Sequence, residues 1–96
     1  MDLRELLRIK RGEILRIAAV HGARNVRIFG SVARGEADDK SDVDFLVDLD
    51  QSRSLMDHAA LLVALEELLG CKVDVAPSDS LRPRMRERIL HDAVPL

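Results

Sequence analysis

The sequence predicts an α/β fold, a small mixed β-sheet of about three strands with helices packed mainly on one face. Two patterns indicate it: apolar residues recur at helical spacing near the N-terminus, and a strand–helix–strand order runs from Asp42 to Ala76. The 96 residues are enough for one two-layer core, so we expect a single domain, 1–96. Because 47% of the chain is apolar but only two residues are aromatic, that core should be aliphatic.

The first helix is predicted to begin after Asp2, a good N-cap residue, and to end near Gly22. The segment Asn25–Phe29 then alternates apolar and polar residues, which is typical of a strand. The apolar positions that define the helix are Leu3, Leu6, Leu7, Ile14, Ile17 and Ala18.

A second strand is predicted over Ser41–Asp50, where side chains alternate between the two faces of the sheet. One face should carry the odd positions and the other the even positions, three of which are carboxylates. The odd set is Val43, Phe45, Val47 and Leu49, and the even set is Asp42, Asp44, Leu46 and Asp48.

A helix that follows is marked by Ser54 and Asp57, which form a capping box, and by Gly70 at its end. The segment Cys71–Ala76 is predicted as a third strand, stopped by Pro77 and parallel to the second through a right-handed crossover. The last predicted helix starts at Pro83 and runs to about Asp92. Its apolar stripe is Leu81, Met85, Ile89 and Ala93.

Charge and cysteine content narrow the functional classes. Fifteen basic and seventeen acidic residues give a net charge of −2, which neither favours nor excludes nucleic acid. A direct nucleic-acid partner is disfavoured because the chain has no aromatic stacking platform. A single cysteine, no apolar run of membrane length and no signal-peptide pattern predict a cytoplasmic protein without a membrane partner.

The stretch FGSVARGEADDKSDVDF holds the candidate site. Asp42 and Asp44 project from one face of a strand, and Asp74 can join them if the third strand lies beside the second. Three hard oxygen donors at one end of a sheet suit Mg²⁺, which proteins hold with a few carboxylates together with substrate phosphates. The cluster therefore predicts a magnesium site for a nucleoside triphosphate.

Gly30 and Ser31 are the candidate phosphate seat. A glycine after a strand allows close backbone approach, and a short helix after it would aim N–H groups and the Ser31 hydroxyl at an anion. Arg34, one turn later, could meet a phosphate oxygen. A Gly-Ser pair or an Asp-x-Asp alone carries little information, but their combination at this spacing is specific.

Each feature also has a purely structural interpretation. Asp42 and Asp44 could form a solvated strand end, Asp74 could be exposed on an edge, and Gly30-Ser31 could be only a turn. The remaining polar residues are predicted to be solvent-facing: a loop with Glu36, Asp38 and Asp39, three surface histidines at 21, 58 and 91, and the four arginines of segment 82–88. For the arginines, a phosphate or partner site is the alternative.

One motif closely resembles that of the DNA polymerase beta-like nucleotidyltransferase superfamily. It consists of Gly30-Ser31, ten intervening residues and Asp42-Val43-Asp44, with Arg34-Gly35 inside the interval and Ser41 just before the first aspartate. Within it, the chain is similar to the minimal nucleotidyltransferases, which occur with HEPN-domain partners as toxin–antitoxin pairs. The tail RERILHDAVPL is also similar to that group.

The resemblance implies Mg²⁺-dependent transfer of a nucleoside monophosphate, usually AMP from ATP, to an acceptor hydroxyl. It implies that Asp42 and Asp44 hold two Mg²⁺ ions and that Asp74 ligates the second ion and helps to deprotonate the acceptor. Gly30 and Ser31 would seat the leaving phosphates, helped by Arg34. In the antitoxin subgroup the acceptor is a tyrosine of the HEPN toxin.

Two rival functions remain open. The chain could be a non-catalytic antitoxin module that masks its partner, or it could transfer nucleotides to a small molecule or an RNA end. Asp44-dependent covalent labelling separates the first rival from the enzyme. The base preference, the number of nucleotides transferred and homo-oligomer formation are also left open by the sequence.

Overall fold

The computed structural model describes residues 2–38 and 40–96 and has the predicted α/β class. Asp39, predicted as part of a solvated loop, lies outside the described residues. The helices are α1 (Leu3–Val20), α2 (Gly30–Arg34), α3 (Leu55–Leu69) and α4 (Pro83–Asp92). The strands are β1 (Ala23–Phe29), β2 (Val43–Leu49), β3 (Val73–Pro77) and β4 (Val94–Pro95), and a 3₁₀ turn spans Ser78–Ser80.

The four strands form one mixed sheet in the order β3-β2-β1-β4. β2 and β3 are parallel, as the strand–helix–strand order predicts, whereas β1 is antiparallel to both β2 and β4. β4 is a strand more than we expected. It has only two residues, which pair with Arg27 and Ile28 of β1, so no periodicity could reveal it.

The main core lies between one face of the sheet and helices α1 and α3, which also pack against each other. It is aliphatic apart from Phe45, which is fully buried. Members include Leu7 and Ile14 from α1, Val43, Phe45 and Val47 from β2, and Leu61, Leu65 and Leu69 from α3. The odd positions of β2 therefore share one face, as predicted, and that face is the one that packs in the core.

A smaller buried region lies outside this cluster. Leu46 is fully buried, although it lies on the same face of β2 as Asp44 and Asp48. Ile89 of α4 is 7% exposed. Helix α4 packs against β1 and α2. Only Ile89 of the predicted α4 stripe is buried, whereas Met85 is 52% exposed. α4 therefore approaches the sheet next to α2 rather than joining the main helical layer.

Local sequence signals set the helix ends. The side chain of Asp2 accepts a hydrogen bond from the Glu5 N–H, and Ser54 and Asp57 form the predicted capping box. Gly70 ends α3 in the left-handed conformation, at φ 68°. Pro77 is part of β3 rather than the residue that stops it, which is tolerated because β3 is an edge strand. Within the described ranges, no helix is long and apolar enough to cross a membrane.

Candidate active site

The parallel pairing of β2 and β3 brings two of the predicted acids together. Asp44 and Asp74 are register partners near the starts of their strands, so their side chains project from the same face. Asp44 is half-buried and Asp74 is exposed. The same face continues onto β1, because Phe29 is the antiparallel partner of Asp44.

Asp42 directly precedes β2, and residues just before it are hydrogen-bonded to one another. The Ser41 hydroxyl accepts from the Asp38 N–H at 2.9 Å, and the Asp38 carboxylate accepts from the Lys40 N–H at 2.8 Å. Asp42 itself is exposed to solvent, yet its charge acts on Asp44. The three predicted acids therefore form one electrostatic group, which we call the acidic cluster: Asp42, Asp44 and Asp74.

The acidic cluster is short of positive charge. Burial raises the pKa of Asp44 above its ordinary value, and the charges of Asp74 and then Asp42 raise it further. The Arg34 guanidinium opposes this rise in the Asp44 pKa only in part. A cation close to Asp44 would relieve the repulsion.

Gly30 lies directly against the cluster. Its φ is 75°, which is a left-handed conformation that favours glycine, and a Cβ at this position would overlap a carboxylate oxygen of Asp44. Gly30 opens α2, a helix of five residues in which Ser31 follows at once. The predicted phosphate seat and the acidic cluster are therefore adjacent in space.

Helix α3 fixes the edge strand that carries Asp74. The Glu66 carboxylate accepts from the Val73 N–H at 3.2 Å, and His58 Nε2 donates to the Val75 carbonyl at 2.7 Å. Both neighbours of Asp74 are thus tied to α3 by side chains. His58 is not the simple surface residue that the sequence predicts, because it is half-buried and bonded to β3.

Arg34 lies near Asp44 but is held by two acids. Its Nη1 donates to the Asp92 carboxylate at 2.8 Å and its Nε donates to the Glu36 carboxylate at 3.1 Å. These hydrogen bonds raise the pKa of Arg34, the one to Asp92 most. Glu36 was predicted only as a solvated loop residue, and the partnership with Asp92 was not predicted.

A second polar group lies further along the same face of β2. Asp48 accepts from the Ser78 hydroxyl at 2.5 Å and from Arg27 Nη2 at 2.8 Å, and Asn25 Nδ2 lies 3.1 Å from its other oxygen. The hydrogen bond from Ser78 contributes most to holding the pKa of Asp48 below its usual value. Unlike Asp44, Asp48 already has hydrogen-bond donors and a positive charge from the chain itself, which stabilise its charged form.

The donor set of the acidic cluster fits a hard cation that is not caged by protein. Across residues 2–38 and 40–96 no three His, Cys, Asp or Glu side chains form a group that could hold a metal ion by itself. Mg²⁺ ordinarily takes one or two carboxylates, with waters and phosphates completing its coordination. Paired aspartates with unrelieved negative charge suit this mode of binding.

Comparison with known proteins decides the family. The nucleotidyltransferase domain family matches residues 11–96, which contain the whole acidic cluster and the Gly30-Ser31 turn. The chain belongs to this family. It is a nucleotidyltransferase, and its resemblance to the minimal nucleotidyltransferases and their antitoxin members is confirmed.

Two relatives of this nucleotidyltransferase are similar along most of their length. A Methanocaldococcus jannaschii protein, provisionally named as a protein adenylyltransferase, is 40% identical over 94 residues, which cover 98% of this chain and 97% of that protein. The protein adenylyltransferase MntA of Thermococcus cleftensis is 41% identical over 73 residues, which cover 76% of this chain and 74% of MntA.

Solved structures agree with the fold. A structure described as a minimal nucleotidyltransferase has a TM-score of 0.88 and 53% identity, covering 100% of this chain and 97% of that one. A toxin–antitoxin complex solved with AMP-PNP has a TM-score of 0.76 at 17% identity, covering 88% of this chain and 69% of that one. At this identity the second likeness is one of fold alone.

Proposed function

We propose that this nucleotidyltransferase transfers AMP from ATP, with Mg²⁺, to a tyrosine hydroxyl of a HEPN-domain toxin and thereby acts as an antitoxin. The observation that carries the proposal is the acidic cluster, in which Asp44 faces Asp74 in register and carries a raised pKa. That unrelieved negative charge is what Mg²⁺ ions bound beside the triphosphate would offset. The names of the adenylyltransferase relatives support a protein acceptor.

Each sequence-predicted residue has a role in this proposal. Asp42 and Asp44 would hold two Mg²⁺ ions, Asp74 would ligate the second, and Gly30 and Ser31 would seat the β- and γ-phosphates that leave as pyrophosphate. Bound there, the ions would offset the negative charge of the attacking and leaving oxygens during in-line displacement. Arg34 adds a further positive charge beside the phosphates.

The proposed reaction is an in-line displacement at the α-phosphorus. The acceptor oxygen attacks the α-phosphorus, a new P–O bond forms, and the bond from the α-phosphorus to the bridging oxygen breaks, so pyrophosphate leaves. The acceptor proton passes to Asp74, which is the exposed acid of the register pair and is therefore open to an incoming group.

A protein acceptor suits the shape of the site. Asp42 and Asp74 are exposed, so a side chain on another protein can reach the acidic cluster from solvent. The chain itself contains no tyrosine, so a tyrosine target must come from a partner. A masking module without catalysis remains the competing function, and it needs no intact acidic cluster.

Label transfer from ATP tests the proposal. Purified chain, Mg²⁺ and a lysate of the native host are incubated with ATP labelled at either the α- or the γ-phosphate and resolved on a denaturing gel. We expect a protein band that carries α-label but not γ-label, that is absent with Asp44→Ala, and whose mass spectrum locates AMP on a tyrosine. Asp44-dependent label in RNA or in small molecules would show that the acceptor is not a protein tyrosine. The lack of any Asp44-dependent label would favour the masking module.

A further inference from the structure

The contact between Arg34 and Asp92 joins two parts of the chain that lie far apart in sequence. Arg34 ends α2, which begins at the Gly30-Ser31 turn, and Asp92 ends α4. The Asp92 side chain is 16% exposed, whereas that of Glu36, the other acid on Arg34, is 65% exposed. The more sheltered ion pair is therefore the long-range one, and it is the one that solvent weakens less.

Asp92 is held on a rigid part of the backbone. The Ala93 N–H that follows it donates to the Ile89 carbonyl at 2.9 Å, which closes the end of α4. Immediately afterwards, Val94 pairs with Ile28 of β1, and the Leu96 N–H donates to the Val26 carbonyl at 3.2 Å. Because α4 precedes Asp92 and β4 follows it, the backbone position from which the Asp92 side chain projects is fixed.

Two acids do not use up the donors of Arg34. A guanidinium carries five N–H donors in one plane, and the contacts to Asp92 and Glu36 occupy one on Nη1 and one on Nε. The remaining donors can take a third oxygen anion while the two acids hold the plane in orientation. Lysine offers no such fork, so the arrangement specifically uses arginine.

We propose that Asp92 is a positioning residue that orients Arg34 toward a phosphate of the nucleoside triphosphate. The inference rests on the proposed function, because the phosphate contact is part of that site. α4 and the β4 tail thereby contribute to nucleotide binding without touching the nucleotide. The proposal assigns a function to Asp92, for which the sequence analysis predicts no role.

The test is a double-mutant cycle on Arg34 and Asp92, with Glu87→Gln as the control. Glu87 is an exposed acid on the same helix, so its variant removes the same charge from α4. Steady-state kinetics of Asp44-dependent AMP transfer are measured together with calorimetric binding of a non-hydrolysable ATP analogue plus Mg²⁺. All measurements are made well below the unfolding temperature of each variant.

In Asp92→Asn the amide oxygen can still accept from Arg34 but carries no charge. We expect this variant to raise KM for ATP and Kd for the analogue by about 5- to 10-fold, the difference between a charged and a neutral hydrogen bond, with kcat changed less than about twofold. In the Arg34→Gln background, Asp92→Asn should change neither constant further. Glu87→Gln should behave like the unmodified chain.

Three results would overturn the proposal: unchanged constants in Asp92→Asn, full additivity with Arg34→Gln, or a loss confined to kcat and thermal stability. Failure of the proposed function looks different. If the unmodified chain transfers no AMP, the analogue binding cycle still decides whether Asp92 acts through Arg34. If it binds no nucleotide either, both proposals are wrong.

Discussion

Gly30 and Asp44 are packed so closely that a methyl group on residue 30 would occupy the space of a carboxylate oxygen. This glycine has two separate constraints, since its φ of 75° also disfavours any side chain. The φ angle constrains the backbone alone, and the close approach of Asp44 concerns the acidic cluster. Gly70 has a similar φ but no such neighbour, so a comparison of the two glycines separates these constraints.

We predict that Gly30→Ala abolishes Asp44-dependent transfer and that Gly70→Ala does not. Gly70 has φ 68°, but nothing lies within 4 Å of a Cβ placed there. Both variants should lose about 1–2 kcal/mol of unfolding free energy from left-handed strain, measured by urea denaturation. Only Gly30→Ala also displaces Asp44. Equal transfer activity in the two variants would show that the close approach has no functional consequence.

Asp44→Asn should separate function from stability. Burial and the charges of Asp74 and Asp42 raise the pKa of Asp44, which means that its charged form is disfavoured in the fold. Removing the charge should therefore leave the unfolding temperature equal or higher at pH 7, while AMP transfer falls by at least about 100-fold, the lower range for losing an electrostatic contact to a transition state.

Stabilisation by Mg²⁺ and a nucleotide is the second measurement on Asp44→Asn. Mg²⁺ with a non-hydrolysable ATP analogue should raise the melting temperature of the unmodified chain and of Glu13→Gln, which removes a carboxylate on the exposed part of α1, but not that of Asp44→Asn. A clear drop in melting temperature for Asp44→Asn without ligand would mean that Asp44 is a structural residue.

Local signals explain why the fold class could be predicted. The capping box at Ser54 and Asp57 and the strand alternation around Phe45 depend on neighbours in sequence, and each occurs where predicted. The parallel direction of β2 and β3 is predicted by the strand–helix–strand order, whereas the register that pairs Asp44 with Asp74 is seen only in the structure. Local features therefore predict the elements that carry the two acids, but not the register between them.

Contacts across long sequence separations could not be predicted in this way. β4 exists because Val94 and Pro95 meet β1, not because two residues have strand character. Asp92 meets Arg34 across 58 residues, and His58 bonds to a backbone carbonyl, which has no sequence signature. Such contacts depend on how the helices pack on the sheet, and a single sequence carries no pattern for that.

The hydrogen bond from Val73 to Glu66 is predicted to support Asp74 as well as the edge of the sheet. Glu66→Ala would leave the Val73 N–H without its acceptor, at a cost of about 1 kcal/mol in unfolding free energy. Since Asp74 is the next residue, we also expect kcat for AMP transfer to fall more than the loss of folded protein accounts for.

Glu66→Gln is the matched control for this prediction. The glutamine keeps a side-chain oxygen that can accept from Val73, so stability and kcat should stay close to those of the unmodified chain. Denaturation curves and active-site-normalised kinetics measure both quantities. If the alanine and glutamine variants are indistinguishable, Glu66 does not position β3.

The group formed by Asp48, Arg27 and Ser78 predicts how stability depends on pH. Because the folded-state pKa of Asp48 lies below its unfolded value, its contribution to stability is complete above the unfolded pKa of about 3.9. That contribution is lost as the pH falls from there through the folded pKa. The difference in unfolding free energy between the unmodified chain and Asp48→Asn should therefore be constant between about pH 5 and about pH 7, because this range lies roughly one unit or more above the unfolded pKa. The difference should shrink below about pH 4. Urea denaturation at each pH measures this difference, with Asp79→Asn, an exposed acid in the next turn, as the control. A difference that stays constant down to pH values of about 2, well below the unfolded pKa, would mean that the network acts through shape rather than through the Asp48 charge.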